Sequence, residues 1–177
     1  MLTLQINPSP NLSEWNSSLT ATEKQLKVAA TRALNKTARW ARTQVASKTA
    51  KELSIKVGAV REGLILVRAK QSNPLSVVGL SQQSGVIKAK QLGSASQNST
   101  GVRVGRRQFD HAFLATMPNG HQGVFRRRGK ARLPIQEVQI VITGKMQEIM
   151  EDLSNGPALK QFETIFDREL RHLLRAA

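Results

Sequence analysis

The sequence predicts an α+β fold, with a long N-terminal helix and a C-terminal helix packed on one face of an antiparallel β-sheet. The first part of the chain has helical periodicity, the middle contains short β-branched segments between turn residues, and the end returns to helical periodicity. Helices before and after a run of strands favour an α+β arrangement. A chain of 177 residues fits one domain, so we expect residues 1–177 to form a single unit.

Residues 12–53 are predicted to form the long helix, which begins at Leu12 or Ser18. Small and apolar side chains recur at steps of three, four and seven, so they share one helix face that allows a neighbour to approach closely. We interpret the basic residues on the remaining surface as a solvated face, with phosphate or partner binding as the alternative. The face positions are Leu19, Leu26, Ala30, Ala33, Leu34, Thr37, Ala41 and Val45, and the basic ones are Lys24, Lys27, Arg32, Lys36, Arg39 and Arg42.

The sheet is predicted within residues 64–143, after a short helical turn at residues 57–64. Strands are expected at residues 2–6, 64–69, 74–80, 102–106, 112–117, 123–128 and 133–143. Pro118, Asn119 and Gly120 predict a tight turn, because Asn and Gly tolerate positive φ. Ser, Gln, Gly and Lys dominate residues 81–101, which predicts a flexible central loop, most strongly at residues 94–100. We interpret this loop as a mobile hairpin tip or as an arm that becomes ordered on assembly.

The C-terminal region, residues 145–176, is predicted to contain two helices separated by Asn155, Gly156 and Pro157. The second of these helices places five large apolar residues on one face, and that face is expected to pack on the rest of the domain. These residues are Leu159, Phe162, Phe166, Leu170 and Leu173.

Composition excludes several classes of protein. The chain has no cysteine, which rules out disulfides and cysteine-ligated zinc. No apolar run reaches the length of about 20 residues that a membrane span needs. The N-terminus lacks the charged start and apolar core of a signal peptide, so we expect a soluble intracellular product. The core is expected to be mostly aliphatic, because there are only five Phe, two Trp and no Tyr.

Charge is high and unevenly distributed. Lys and Arg total 27 against 12 acids, which gives a net charge of +15 and favours polyanionic or acidic partners. Residues 103–132 contain eight basic residues and one acid, whereas residues 137–169 contain seven acids and three basic residues. This asymmetry suits contact between copies of the chain as well as it suits nucleic acid.

The densest positive charge lies at residues 126–132, RRRGKAR, which we call the basic segment; it leads directly into a predicted strand. Arginine dominates the region, and its planar guanidinium favours bidentate contacts with phosphate or carboxylate. Phe109, Phe113 and Phe125 are interpreted as core residues rather than base-stacking platforms, so specific base reading is not expected. The candidate partner-facing or DNA-facing residues are Arg103, Arg106, Arg107, Arg126, Arg127, Arg128, Lys130 and Arg132.

No catalytic, metal-binding or cofactor-binding motif stands out. His111, His121 and His172 lack ligand spacing, so structural or solvent-exposed roles are expected for them. Gly101 and Gly105 do not open a phosphate loop, because the Lys-Ser/Thr pair that such a loop requires is missing. We expect no enzymatic activity and no cofactor.

Residues 111–138 resemble the minor tail protein Z family of tailed phages and prophages. The resemblance consists of Ala112-Phe113, then Gly120-His121-x-Gly123-Val124-Phe125-Arg126, then Gly129-Lys130-x-Arg132-x-Pro134-Ile135. A weaker similarity lies in the predicted first helix, at Ala33-Leu34-Asn35-Lys36-Thr37-Ala38. With the order of helix, strands and helix, the resemblance covers most of the chain.

The resemblance implies a structural virion protein that acts in tail completion, at the head-proximal end of the tail (the neck). It implies rings of subunits that join tail terminator or tube proteins to head-connector proteins, are assembled in the host cytoplasm, and have no membrane partner. Contact between arginines and genome phosphates would fit that location. The alternative function is a stand-alone, non-sequence-specific nucleic-acid-binding protein, and the sequence leaves open whether the basic segment faces DNA, other subunits or both.

Overall fold

The long N-terminal helix, α1, spans Glu23–Leu53 in the computed structural model, which describes residues 3–6, 23–80 and 85–175. Its alanine-rich face is buried as predicted, and Leu26 is half-buried. Leu19 and the predicted start of the helix lie outside the described residues. The buried positions of α1 are Ala29, Ala30, Ala33, Leu34, Thr37, Ala38, Ala41, Val45, Ala46, Thr49 and Ala50.

Three further helices complete the helical part of the described chain: α2 (Val57–Glu62), α3 (Thr143–Ser154) and α4 (Pro157–Arg175). Helix α4 packs along α1, and α3 contacts both. Phe162 and Phe166 of α4 are buried with their ring centroids 5.7 Å apart. The prediction that Leu159 joins this face is wrong, since Leu159 is 42% exposed. In the first turn of α4, the buried residue is Ala158 instead.

The strands form several small antiparallel sheets rather than the one sheet that was predicted. The sheet that packs on α1 through β2 and β3 has the order β1-β3-β2, with β1 at Thr3–Ile6, β2 at Leu64–Val67 and β3 at Ser76–Leu80. The others have the orders β5-β6-β7, β10-β9-β8 and β11-β4. Their strands are β4 (Val86–Lys88), β5 (Ala95–Gln97), β6 (Gly101–Val104), β7 (Arg107–Asp110), β8 (Ala112–Thr116), β9 (Gln122–Arg127), β10 (Ile135–Glu137) and β11 (Gln139–Val141).

The strand predicted at residues 133–143 is divided at Val138 into β10 and β11. The Val138 N–H donates to the carbonyl of Val124 in β9, whereas its carbonyl accepts from the N–H of Ala89, next to β4. The chain therefore leaves one sheet and joins another at this residue. A run of β-branched residues predicts extended backbone but not its partners, because pairing depends on contacts distant in sequence.

The region predicted as a flexible central loop contains regular structure. Residues 81–84 lie outside the described part, and β4, a 3-10 turn (Ala89–Leu92) and β5 follow them. The β5–β6 hairpin turns at Asn98, whose Oδ1 accepts hydrogen bonds from the N–H groups of Thr100 and Gly101 at 3.2 and 2.8 Å. The polar residues 94–100 thus include a hairpin turn that the Asn98 side chain closes.

Candidate functional site

The β8–β9 hairpin positions the basic segment at the end of β9. Its turn is the one predicted at residues 118–120: Met117 and His121 pair through the backbone, and Gly120 has φ of 80°. The register then places Phe113 opposite Phe125 and Ala112 opposite Arg126. The arginine run therefore begins where β9 leaves its pairing with β8 and continues into the turn toward β10.

Arg126 and Arg127 are neighbours on a strand and point to opposite faces of the sheet. Arg126 donates to the backbone carbonyl of Asp110 at 2.9 Å. The Arg127 guanidinium lies over the Phe113 ring, 5.7 Å from its centroid, which is a cation–π geometry. Arg128 donates to the Gln136 side chain of β10 at 3.3 Å. Each of the first three arginines of the segment thus has a contact with another residue of the protein.

Two open hollows adjoin this segment. One, of about 660 Å³, lies between the β5–β6 turn and the segment and is lined by Asn98, Thr100, Arg126, Arg127 and Lys130 among others. The second, of about 410 Å³, lies between the three consecutive arginines and β10 with the start of β11. All seven residues 126–132 are exposed. The surface is suited to contacting carboxylates or phosphates of a partner.

The structure divides the predicted cluster of basic residues. Arg107 is half-buried and donates to the backbone carbonyl of Leu53 at 2.9 Å, at the C-terminus of α1. A basic side chain at this point satisfies a terminal carbonyl and interacts favourably with the helix dipole. Arg106 is exposed in the β6–β7 turn, and Arg103 is exposed opposite Gln108. These three arginines lie on a different sheet from the basic segment.

His121 and Glu137 form a polar anchor for the basic segment that sequence reasoning missed. Glu137 of β10 is hydrogen-bonded to His121 Nε2 at 2.8 Å and paired with Lys88 Nζ at 3.0 Å. Burial alone would raise the pKa of Glu137, but the hydrogen bonds and charges of His121 and Lys88 lower it below its ordinary value. Gly123 leaves room for the Glu137 carboxylate, because a Cβ at position 123 would lie only 2.9 Å from it.

The signal for this anchor was present in the sequence only in part. His121 and Gly123 belong to the block that resembles the phage family, whereas Glu137 and Lys88 are distant along the chain. The contact brings together the turn of one hairpin, the first strand after the basic segment and β4. It fixes the strands on both sides of the basic segment.

The acidic residues that follow the basic region along the chain are exposed on the helices. We call Glu148, Glu151 and Asp152 the acidic face of α3, and Glu163 is exposed on α4. Lys145 pairs with Glu148 at 2.8 Å and with Glu52 of α1 at 2.5 Å, so Glu148 is partly neutralised. The basic segment and the acidic face belong to separate elements of the protein.

Other kinds of site are not indicated in the described part of the chain. Among residues 3–6, 23–80 and 85–175, no group of three His, Asp or Glu side chains is placed to hold a metal ion. None of the helices described is long and apolar enough to cross a membrane.

Comparison with known proteins identifies a family to which the chain is similar. The sequence model of the family described as Prophage minor tail protein Z (GPZ) matches residues 16–176, and this span includes both helical regions and the basic segment. No curated protein and no solved structure matches the chain. The chain belongs to the prophage minor tail protein Z family and is therefore a structural protein of the phage tail, not an enzyme.

Proposed function

We propose that this tail protein acts in tail completion at the head-proximal end of the tail, where it forms a ring between tail terminator or tube proteins and the head connector. The observation that carries the proposal is the separation of charge on the molecule. The basic segment is exposed at one strand end, and the acidic face of α3 is exposed elsewhere on the same chain. Two different, complementary surfaces favour head-to-tail contact, which closes into a ring when the rotation allows.

The basic segment is the surface we assign to the neighbouring subunit. Its first three arginines are oriented by Asp110, Phe113 and Gln136 while their charge remains exposed. Such preorganised guanidinium groups lose less conformational entropy when they bind a carboxylate than freely rotating side chains do. The proposed recipients are Glu148, Glu151, Asp152 and Glu163.

The location is tested on purified virions. Antibody labelling of this protein in electron micrographs should mark one end of the tail, adjacent to the head, and quantitative mass spectrometry should give several copies per particle. Labelling along the whole tube, or recovery only from the host cytosol, would contradict a role in the neck.

The subunit contact is tested by charge reversal. The double variant Arg127→Glu/Arg128→Glu should abolish assembly, because it opposes like charges across the interface. Reversal of Glu151 and Asp152 to Lys in the same chain should partly restore assembly. Analytical ultracentrifugation gives the readout, and Lys24→Glu/Lys27→Glu is the control with the same charge change at exposed positions of α1. If the arginine variant assembles like the native chain, the basic segment is not the subunit contact.

A second candidate function, stand-alone nucleic-acid binding, is favoured by the net charge of +15. It predicts that the free protein binds duplex DNA at physiological salt, with an affinity that falls steeply as salt rises. In the neck the two roles would be compatible. Arginines at positions 103, 106 and 126–128 that do not meet acidic neighbours would face the genome and contact phosphates without reading bases.

A further inference from the structure

A second basic surface lies between helices α1 and α4, away from the basic segment. Two adjoining open hollows, of about 530 and 460 Å³, share Arg168 and His172 in their lining. We call the combined surface the helical groove. Its lining consists of Arg32 and Lys36 of α1 and Arg168, Glu169, Arg171, His172 and Arg175 of α4.

The basic residues of this surface follow helical spacing on both elements. Arg168, His172 and Arg175 occur at i, i+4 and i+7 on α4, and α1 has the same spacing at Arg32, Lys36 and the exposed Arg39. Residues at these spacings share one helix face, so each helix presents a row of basic side chains. Each row rises about 10 Å along its helix axis.

Glu169 organises the middle of the helical groove. Its side chain is only 10% exposed and pairs with Lys36, while Arg32 Nη1 lies 3.8 Å from its other oxygen. Asp167, the other acid nearby, pairs with Arg171 at 3.0 Å. Within the part of the chain that the structure describes, Arg168 and Arg175 have neither an ion pair nor a side-chain hydrogen bond. The groove therefore retains unneutralised positive charge.

The surface beneath the groove is a packed part of the core, and the groove itself is lined mainly by basic side chains. Phe162, Phe166 and Leu170 of α4 are buried below it with the alanine face of α1. His172 carries the one ring among the residues that line the two hollows, and no Phe or Trp lines them. The groove thus lacks the large aromatic rings of base-stacking platforms, and most of its lining groups are guanidinium and ammonium donors suited to phosphate.

We propose that the helical groove binds the phosphate backbone of duplex DNA without reading its sequence. A duplex carries roughly six phosphate charges over about 10 Å of its axis, so each row of basic residues faces several phosphates. The acidic face of α3 offers only three acids, and Glu148 is already paired with Lys145. A regular polyanion matches two rows of basic residues better. The inference goes beyond the subunit contact proposed for the basic segment and does not depend on it.

The test compares two variants that lose the same number of arginines from different surfaces. Arg168→Ala/Arg175→Ala removes the unpaired cations of the helical groove, and Arg127→Ala/Arg128→Ala removes the same charge from the basic segment. Binding of the full chain to a fluorescent duplex of mixed sequence is measured by anisotropy over a range of salt concentrations. The groove variant should bind at least roughly tenfold more weakly. The slope of log affinity against log salt concentration should become less steep by about two. The basic-segment variant should lose less affinity and less slope than the groove variant.

Several outcomes would overturn the inference. These are no binding of duplex by the native chain, no loss in the groove variant, or equal losses in both variants, which would indicate a response to net charge alone. Weakened self-association in the groove variant with unchanged DNA binding would instead assign the groove to a second copy of the chain. Thermal melts and circular dichroism establish that both variants are folded, as expected for exposed side chains. Failure of the assembly experiment on Arg127 and Arg128 would leave the result for the groove standing.

Discussion

The α1–α4 helix pair and the basic segment both present arginines to solvent, but different interactions hold the two regions in place. The helix pair is held by burial, through the alanine face of α1 and the aromatic and aliphatic face of α4. The basic segment follows the one buried aromatic of its sheet, Phe125, and is otherwise oriented by hydrogen bonds, a cation–π contact and the His121–Glu137–Lys88 anchor. Apart from the Glu169 ion pairs, charge on the helix pair is thus separable from its stability, whereas charge in the basic segment helps to define its geometry.

The largest effect on stability is expected in the helix pair. Phe162→Ala should lower the free energy of unfolding by roughly 3–5 kcal/mol, because it leaves a cavity beside Phe166. Leu159→Ala, only three residues away but 42% exposed, should change it by less than about 0.5 kcal/mol. Urea unfolding monitored by circular dichroism measures both. Equal losses would mean that Leu159 packs as the sequence pattern alone suggested.

The alanine face of α1 should be intolerant of larger residues. Ala33→Phe or Ala41→Phe should cost about 1–3 kcal/mol, because neither position has space for added atoms. The matched substitutions Lys27→Phe and Arg39→Phe, at exposed positions of the same helix, should be nearly silent. Thermal melts that tolerate both sets equally would show that α1 is a free arm in the isolated protein.

The ion pair between the helices should contribute less than the packing around it. Glu169→Gln should lower the free energy of unfolding by about 1 kcal/mol, because Lys36 and Arg32 are half exposed and stay hydrated when the carboxylate is removed. A double-mutant cycle with Lys36→Gln isolates the pairwise energy. A coupling near zero would mean that Glu169 acts only through packing.

The stability that the Glu137 anchor gives to the strands beside the basic segment should depend on pH. The pKa of Glu137 is lowered in the folded protein, so its contribution to stability is complete above the ordinary value of 4.5 and is lost as pH falls through the folded value. Glu137→Gln should therefore be less stable than the native chain at pH 7, and the difference should shrink below about pH 4.5. Urea unfolding at both pH values tests this. A difference that does not change with pH would show that the charge of the Glu137 carboxylate does not stabilise the fold.

Much of the fold could be predicted because its determinants are local. The helix face that includes Ala33 and Val45 and the turn at Asn119 and Gly120 follow from spacing and backbone preference. The hairpin within residues 94–100 was predicted as a loop tip, but strand β5 was not, because Ser and Gln have little strand preference of their own. Leu159 was misassigned because periodicity gives the direction in which a side chain leaves the helix. It does not show whether another element lies there to cover that side chain.

The candidate site was predicted from the sequence as a cluster of basic residues. Only the tertiary structure shows which contact each of these residues makes. The sequence by itself determined the α+β class, the long helix, the density of arginine at residues 126–132 and the resemblance to the phage tail family. The tertiary structure decided that Arg107 binds the end of α1 and that His121 and Lys88 share Glu137. It also placed the rows of basic residues on α1 and α4 beside one groove. Helix periodicity and net charge are properties of neighbours along the chain, whereas ion pairs and shared surfaces depend on which distant segments the packing brings together.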